Sequence, residues 1–324
     1  MPDIVTLGEA LVEIMRERRG IPFTRPDVFL GPYPSGAPAI FADAAARLGT
    51  STGFIGTIGG DDFGLVVKHR LEDDGVDTKY MRVVKGFSTS TAFVMYQRDG
   101  SRRFIFHLRH AAAGQLNPSD VNVGYVKRAK FLHIMGSSLS VSESSREACY
   151  RAARIAEAGR LRISFDPNLR PELLDEGEIR RICKPILQRA YIVLPSGEEA
   201  SMLTGEEDHL KACKELIRVG PRIVALKRGR SGSTVITEGA GKGTHVPGFK
   251  VKETDPTGAG DSYDAAFVVG LLRGYSIRRA ATFANAVGAL AVTRFGPMEG
   301  CPHQRAVTEL MTSQGSIAGS LIGS

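Results

Sequence analysis

The second half of the chain alternates between short apolar runs and longer helical segments. Four of these runs are predicted strands: Phe131–Met135, Arg162–Phe165, Ala190–Leu194 and Arg222–Leu226. The segments between and after them are predicted helices, near 141–158, 176–188, 206–219, 258–274, 276–293 and 303–313. This alternation is typical of a parallel sheet wrapped by helices, so the chain is predicted to have an α/β fold.

The first half of the chain interrupts this pattern with a β-rich region. Thr91–Gln97 and Arg103–Leu108 flank the turn Arg98-Asp99-Gly100-Ser101, which is typical of a hairpin. The segment 16–34 is rich in Arg, Pro and Gly, and its irregular composition favours a protruding segment over core. We expect the two regions to form a small β lid together.

These boundaries divide the chain into three parts. The α/β domain is predicted to comprise 1–14, 34–80 and 109–313, and the lid 15–33 with 81–108. Residues 314–324 are rich in Gly and Ser and are predicted to form a flexible tail.

Composition limits the partners. The net charge of +7 is spread along the chain, and its basic clusters are short and lack interleaved aromatic residues. This pattern favours small anionic ligands over nucleic acid.

The 4 cysteines stand alone, without a Cys-x-x-Cys pair, which argues against zinc and suits a reducing cytoplasm. No signal peptide and no membrane-length apolar run is evident, so we expect a cytoplasmic protein that does not contact a membrane.

The turn Asp255-Pro256-Thr257-Gly258-Ala259-Gly260-Asp261 stands directly before an apolar helix. Gly258 and Gly260 allow a ligand to approach the main chain closely. The start of the helix exposes unpaired N–H groups and the positive end of the helix dipole, which favours an anion. Asp261 could accept a proton from an attacking hydroxyl there. The alternative is a plain helix cap by Asp255 or Thr257, with glycines for close packing.

Polar residues follow three of the predicted strands. Ligands of parallel sheets bind beyond the carboxyl ends of the strands, so we expect these residues to share one edge with the turn. They are Asp166, Asn168, Ser196, Glu199 and Lys227.

Each of these groups also has a plainer explanation. Lys227 with Gly229 and Gly232 could bind a polyphosphate, or could form a basic surface turn. Glu199 could hold Mg²⁺ through water, or could simply suit the first turn of a helix. The segment 166–170 could be a ligand edge or a capped turn.

Together these residues resemble the ribokinase-like (PfkB) carbohydrate kinases over about residues 3–312. The turn 255–261 is similar to the family's second signature, Asp-Thr-x-Gly-Ala-Gly-Asp, and residues 35–49 followed by 56–64 are similar to the first. The resemblance implies a three-layer α/β/α, Rossmann-like domain with a β lid over the sugar site. It also implies transfer of the ATP γ-phosphate to a sugar hydroxyl, with Mg²⁺ as cofactor.

The resemblance assigns roles to individual residues. Asp261 would be the catalytic base, and the amides of Gly258, Ala259, Gly260 and Asp261 the anion hole. The sugar would contact Glu13, Ser35, Gly36, Ala37, Arg109, Asp166, Arg170 and Asp261. The nucleotide would contact Asn168, Ser196, Lys227, Gly229, Gly232, Thr257, Gly258, Gly260 and Asn285. Because a carboxylate at a helix N-terminus should be ionised at neutral pH, we expect Asp261 to orient the hydroxyl more than to act as a strong base.

The resemblance extends to metals and assembly. Glu199 would hold Mg²⁺ through water, and the family's monovalent cation, such as K⁺, would lie near Asp255 and the 291–296 turn. A homodimer formed through the lid is the default expectation.

Departures from the family pattern leave the substrate open. Pro256 replaces the usual Thr, Ser196 the usual Asn, and Glu13 and Ile40 stand where sugar-contacting Asp and Asn are common. The sequence looks most similar to tagatose kinase, fructokinase and 2-keto-3-deoxygluconate kinase members, which implies a ketose or a keto-sugar acid. Arg109 and Arg170 would suit a carboxylate or a phosphate. The alternatives are a nucleoside kinase of the same fold and a non-catalytic sugar-binding or regulatory protein.

Overall fold

A computed structural model describes residues 1–315, so the predicted tail lies almost wholly outside the described residues. Within this range the strands are β1 (Ile4–Glu9), β2 (Leu11–Arg16), β3 (Phe29–Ser35), β4 (Thr52–Gly59), β5 (Asp77–Val84), β6 (Ser90–Tyr96), β7 (Arg102–His107), β8 (Phe131–Met135), β9 (Arg162–Asp166), β10 (Ile192–Val193), β11 (Ile223–Lys227), β12 (Ser233–Thr237) and β13 (Thr244–Val246).

Nine of these strands form one large sheet in the order β13-β12-β11-β10-β9-β8-β1-β4-β5. From β11 to β5 the neighbours pair in parallel, and β12 and β13 add an antiparallel edge. The central strands are buried and almost continuously apolar, as expected for a sheet covered on both faces. The predicted α/β class is therefore confirmed.

Helices cover both faces of this sheet. In residues 1–315 they are α1 (Ala37–Arg47), α2 (Asp62–Asp73), α3 (Val123–Lys127), α4 (Gly136–Val141), α5 (Glu143–Ala158), α6 (Glu176–Leu187), α7 (Gly197–Thr204), α8 (His209–Val219), α9 (Ala259–Leu272), α10 (Ile277–Ala291) and α11 (Gln304–Ser313). One hydrophobic core contains α1, α9 and α10, and a second contains α5, α6 and α8. None of these helices is long and apolar enough to cross a membrane.

The lid is a separate four-stranded sheet in the order β3-β2-β6-β7. β6 and β7 form the expected antiparallel hairpin, and β2 pairs in parallel with β6. The predicted lid boundary at residue 81 is wrong, because Asp77–Val84 pairs with β4 at the edge of the large sheet. This edge strand alternates exposed and partly buried residues, so its sequence lacks the apolar run that marks the other parallel strands.

Candidate active site

Two cavities meet at the N-terminus of α9. The first, of about 290 Å³, lies beneath the lid, and we call it the lid cavity. The second, of about 480 Å³, lies between the turn after β11 and α10, and we call it the loop cavity. Lys227, Pro256 and Gly260 line both, so a group placed at this junction can reach ligands in either cavity.

Most of the predicted site residues line one of these cavities. The lid cavity contains Glu13, Ser35, Gly36, Ala37, Asp166, Asn168, Arg170, Ser196, Glu199, Thr257, Gly258 and Asp261. The loop cavity contains Gly229, Gly232, Ala259 and Asn285. Asn168 and Ser196, predicted to contact the nucleotide, therefore lie on the lid side, where their side chains bond to other predicted site residues.

The first turn of α9 is held by its backbone. Gly258 has a φ of 76° and the helix has no side-chain cap, so the alternative of a cap by Asp255 or Thr257 is wrong. A Cβ atom at Gly258 would lie 2.2 Å from the Pro297 carbonyl oxygen, which leaves room only for glycine. The Ala259 amide donates a long hydrogen bond of 3.4 Å to the Pro256 carbonyl oxygen. The other N–H groups of the first helical turn have no partner inside the helix and are available to an anion.

Asp261 lies buried at this turn, and the Nδ2 atom of Asn168 donates a hydrogen bond of 3.2 Å to its Oδ1 atom. The pKa of Asp261 is raised to about 7, mainly by burial and also by the nearby charge of Asp166, while the charges of Lys227 and Arg170 oppose this increase. The expectation of a fully ionised carboxylate is therefore wrong, because loss of solvent outweighs the helix dipole. A carboxylate with this pKa is suited to accept a proton near neutral pH.

Lys227 forms the centre of a buried ion cluster. Its Nζ atom lies 2.9 Å from Asp166 Oδ2 and 3.1 Å from Asp264 Oδ2. Burial works against the charge on Lys227, but the two carboxyl groups outweigh it and hold its pKa above the usual range. Burial also raises the pKa of Asp264 well above its ordinary value, whereas the Lys227 charge helps to keep that of Asp166 low. The cluster thus places one ammonium group between two carboxyl groups, of which Asp166 loses its proton more readily than Asp264.

Sequence reasoning missed Asp264. It lies on the same face of α9 as Asp261, three residues further on, and that spacing was the available signal.

Glu199 and Ser196 cap α7 reciprocally. The Ser196 amide donates to Glu199 Oε2 at 2.7 Å, and the Leu169 amide donates to Glu199 Oε1 at 3.1 Å. Burial raises the pKa of Glu199, and the charge of Asp166 adds to this. Since both carboxyl oxygens already accept hydrogen bonds, a magnesium ion fits here through water molecules. No group of three or more His, Cys, Asp or Glu within residues 1–315 could hold a metal directly.

Glu13 lines the lid cavity, and one of its two carboxyl oxygens has no hydrogen-bond partner among the described residues. Ser35 Oγ donates to Glu13 Oε1 at 2.7 Å, while the buried Oε2 atom has no hydrogen-bond partner among the described residues. Burial raises the pKa of Glu13 to about 7. An unpaired buried carboxyl oxygen is costly, and a ligand hydroxyl would satisfy it.

The predicted contact of Arg109 with the sugar is not supported. Its exposed side chain lines a different cavity, together with His107 and His110. β7 ends at His107, so Arg109 falls in the following turn and is no longer directed by the strand.

The lid cavity also contains Glu9 and three residues of β7 that the sequence analysis did not select: Arg102, Phe104 and Phe106. Alternate residues of a strand share a face. The spacing of two residues between 102, 104 and 106 could therefore have predicted that these three side chains face the same cavity.

Both carboxyl oxygens of Asp255 accept hydrogen bonds. Its Oδ1 atom accepts from the Tyr96 hydroxyl at 2.6 Å and from the Thr257 amide at 3.0 Å, and Oδ2 accepts from the Gly296 amide at 2.9 Å. These bonds join the lid, the turn before α9 and the loop after α10. They leave the carboxylate poorly suited to bind a cation directly.

Comparison with known proteins gives a consistent result. The model of the pfkB family carbohydrate kinases matches residues 1–304. Fructokinase-1 of Oryza sativa subsp. japonica is 34% identical over 96% of this chain and 98% of its own length. An E. coli protein provisionally named ribokinase II, solved with ATP and Mg²⁺, is 40% identical with a TM-score of 0.90, over 97% of this chain and 100% of its own. Fructokinase of Xylella fastidiosa with bound ATP is 27% identical with a TM-score of 0.87, over 97% of this chain and 100% of its own. The chain therefore belongs to the pfkB family of carbohydrate kinases, and it is a phosphotransferase that acts on a sugar.

Proposed function

We propose that this enzyme transfers the γ-phosphate of ATP to a hydroxyl of a ketose, of the tagatose or fructose kind, or of a keto-sugar acid similar to 2-keto-3-deoxygluconate. The observation that carries the proposal is the position of Asp261, which lines the lid cavity in the first turn of α9, directly after Gly260, a residue that lines both cavities. The sugar would occupy the lid cavity and the nucleotide the loop cavity.

The reaction needs positioning and charge stabilisation more than covalent chemistry. The sugar hydroxyl oxygen attacks the γ-phosphorus, the bond to the bridging oxygen of ADP breaks, and the hydroxyl proton passes to Asp261. Asn168 holds the Asp261 carboxyl group in place through its 3.2 Å hydrogen bond. The amides of 258–261 and the ammonium of Lys227 line the cavities around this point and would stabilise the negative charge that develops on the phosphoryl group.

The nucleotide and its metal follow from the same arrangement. Gly229, Gly232 and Asn285 line the loop cavity, and Lys227 lies at its inner end. The E. coli relative was solved with ATP and Mg²⁺, which supports the same pair here. Glu199 would hold Mg²⁺ through water, and the ion would neutralise charge on the phosphates.

The substrate class is the finer part of the proposal. Fructokinase of Vibrio cholerae, 28% identical, was solved with fructose and ADP, which supports a ketose. Arg170 lines the lid cavity with Glu13, and a guanidinium also suits the carboxylate of a sugar acid. A coupled ADP-release assay across ketoses, aldoses, sugar acids and nucleosides would test this. Preference for a ketose or keto-sugar acid is expected, and absence of sugar-dependent ADP release would refute the proposal.

One observation favours nucleosides as a second candidate. The rings of Phe104 and Phe106 stack at 5.1 Å in the wall of the lid cavity, and such an aromatic surface could contact a base. A structural neighbour of 26% identity is an aminoimidazole riboside kinase solved with aminoimidazole riboside. The nucleoside arm of the assay separates the two candidates.

A monovalent cation is a further part of the proposal. A Vibrio cholerae fructokinase variant was solved with a bound potassium ion. Here the hydrogen bonds to Asp255 leave backbone carbonyls of the 291–296 turn as the better ligands. Replacing KCl by choline chloride should lower turnover if this site binds K⁺, and unchanged turnover would exclude a role for it.

The homodimer through the lid is supported by the outer face of the lid sheet. Ile14, Phe93 and Ile105 stand opposite one another across β2, β6 and β7, and Ile105 is 44% exposed. A second copy of the chain would remove this apolar row from water. Sedimentation should show a dimer that Ile105→Lys dissociates, and a wild-type monomer would refute the assembly.

A further inference from the structure

The tip of the lid hairpin contacts the turn that precedes α9. Tyr96, the last residue of β6, pairs with Arg102, the first residue of β7, next to the hairpin turn. Both lie against one atom, Thr257 Oγ1: the Tyr96 hydroxyl oxygen is 3.1 Å from it, and Arg102 Nη1 donates a hydrogen bond to it at 3.1 Å. Thr257 immediately precedes Gly258, so the lid reaches the edge of the anion-binding turn itself.

The positive charge of the Arg102 guanidinium acts on Asp261 and Glu13. Its positive charge lowers the pKa of both Asp261 and Glu13, in opposition to the dominant effect of burial. The side chain lines the lid cavity and stands over the Phe104 ring at 5.5 Å. The guanidinium therefore lies near three groups: Asp261, Glu13 and the first turn of α9.

Arg102 also has unused binding capacity. A guanidinium has five N–H donors, and Thr257 is the hydrogen-bond acceptor found for this side chain within residues 1–315. Lys227, by contrast, is already held by Asp166 and Asp264. The cation on the lid is thus free to bind an anion that arrives at the turn.

We propose that Arg102 is a further catalytic residue, whose guanidinium binds oxygens of the transferring phosphoryl group as the lid hairpin seats on Thr257. This inference rests on the proposed phosphoryl transfer between the two cavities. It has a direct consequence for the reaction: the guanidinium would reach the transferring group from the lid, whose strands also cover the lid cavity. Transfer to a sugar hydroxyl in that cavity is then favoured over transfer to water.

The test compares Arg102→Ala with Arg103→Ala. Arg103 is the next residue of the same strand and points to the opposite face, so it is a matched control for charge and for lid folding. For Arg102→Ala, kcat with a neutral ketose should fall by roughly 10²- to 10³-fold, the loss typical of one charge-stabilising donor. ATP affinity measured by calorimetry should stay within about threefold, and guanidinium ion in the buffer should restore part of the lost kcat. Arg103→Ala should retain wild-type kinetics.

Three results would overturn the inference. Unchanged kcat in Arg102→Ala would exclude a catalytic contact. A rise in KM confined to sugar acids would show that the side chain recognises a substrate carboxylate instead. Equal binding of ADP with aluminium fluoride and sugar by wild type and Arg102→Ala would exclude a contact with the transferring group. Failure of the proposed function is distinguishable from all three, since the wild-type enzyme itself would then release no ADP in response to a sugar.

Discussion

The turn before α9 and the lid meet in one cavity, yet they are built in different ways. The turn is fixed by its backbone: Gly258 has no room for a Cβ atom, and α9 is buried from Asp261 to Gly270. The lid is a four-stranded sheet that reaches the turn through the side chains of Tyr96 and Arg102. Backbone donors do not change when side chains change, so the turn can retain one reaction while the lid varies the substrate. The departures from the family pattern at Glu13 and Ile40 agree with this division, because they concern sugar contacts and leave Asp261 in place.

The largest effect should come from removing Asp261, the proposed base at the turn. Asp261→Asn keeps the size of the side chain and loses its proton affinity, so kcat should fall by about 10²- to 10⁴-fold. ATP affinity should change little, because the loop cavity is lined by other residues. Steady-state kinetics with calorimetry of ATP binding measure both quantities. Full activity in this variant would show that Asp261 is not the base.

The backbone of the turn gives the second prediction. Gly258→Ala should reduce kcat/KM by at least about tenfold and lower stability by more than the roughly 1–2 kcal/mol that a positive φ alone costs. The added Cβ atom would meet the Pro297 carbonyl at 2.2 Å and displace the first turn of α9. Thermal unfolding and sugar-dependent ADP release are the measurements.

Gly274 is the matched control for that prediction. It follows the other end of α9 with a φ of 74°, and a Cβ atom there would meet nothing within 4 Å. Gly274→Ala should therefore show the φ cost alone and retain wild-type kinetics. Similar behaviour of the two variants would contradict the idea that the turn is held by close packing.

The sequence predicted the turn far better than the lid, and the reason is locality. The function of residues 255–261 depends on their own backbone and on the helix that follows, both of which a local pattern indicates. The prediction that Arg109 contacts the sugar is not supported, because the position of this side chain depends on where β7 ends and on which face each residue occupies. The pairing of Lys227 with Asp264 joins the end of β11 to the second turn of α9, and no local pattern connects them. The raised pKa of Asp261 was missed for a similar reason, since burial is set by the closed cavity as a whole.

The pH dependence of the reaction sharpens the comparison between the turn and the lid. Burial raises the pKa of Asp261 to about 7, and the base must be ionised to accept a proton, so kcat/KM should fall as the pH drops below 7. One essential base predicts a loss approaching about tenfold per pH unit. Glu13, on the lid side, has a similarly raised pKa of about 7. Glu13→Gln should therefore raise the sugar KM and preserve the acid limb of the profile. Loss of that limb in Glu13→Gln would assign the titration to the lid instead.

The smallest effect should come from the hydrogen bond that seats the lid. Tyr96→Phe removes the hydroxyl that donates to Asp255 Oδ1 at 2.6 Å and leaves the buried ring in place. Loss of one charge-assisted hydrogen bond is worth about 1.5–3 kcal/mol at most, and the Thr257 hydroxyl can compensate in part, since it also donates to that carboxyl oxygen. The sugar KM should rise by roughly three- to tenfold. Activity at saturating sugar should change less, because Asp261 and the amides of α9 are untouched.

Tyr33→Phe is the matched control, because that hydroxyl belongs to β3 and lies outside the residues that line the lid cavity. If Tyr96→Phe lowers kcat as strongly as Arg102→Ala while KM stays constant, then the hairpin tip belongs to the reaction centre itself, and the division between a fixed turn and a variable lid does not hold.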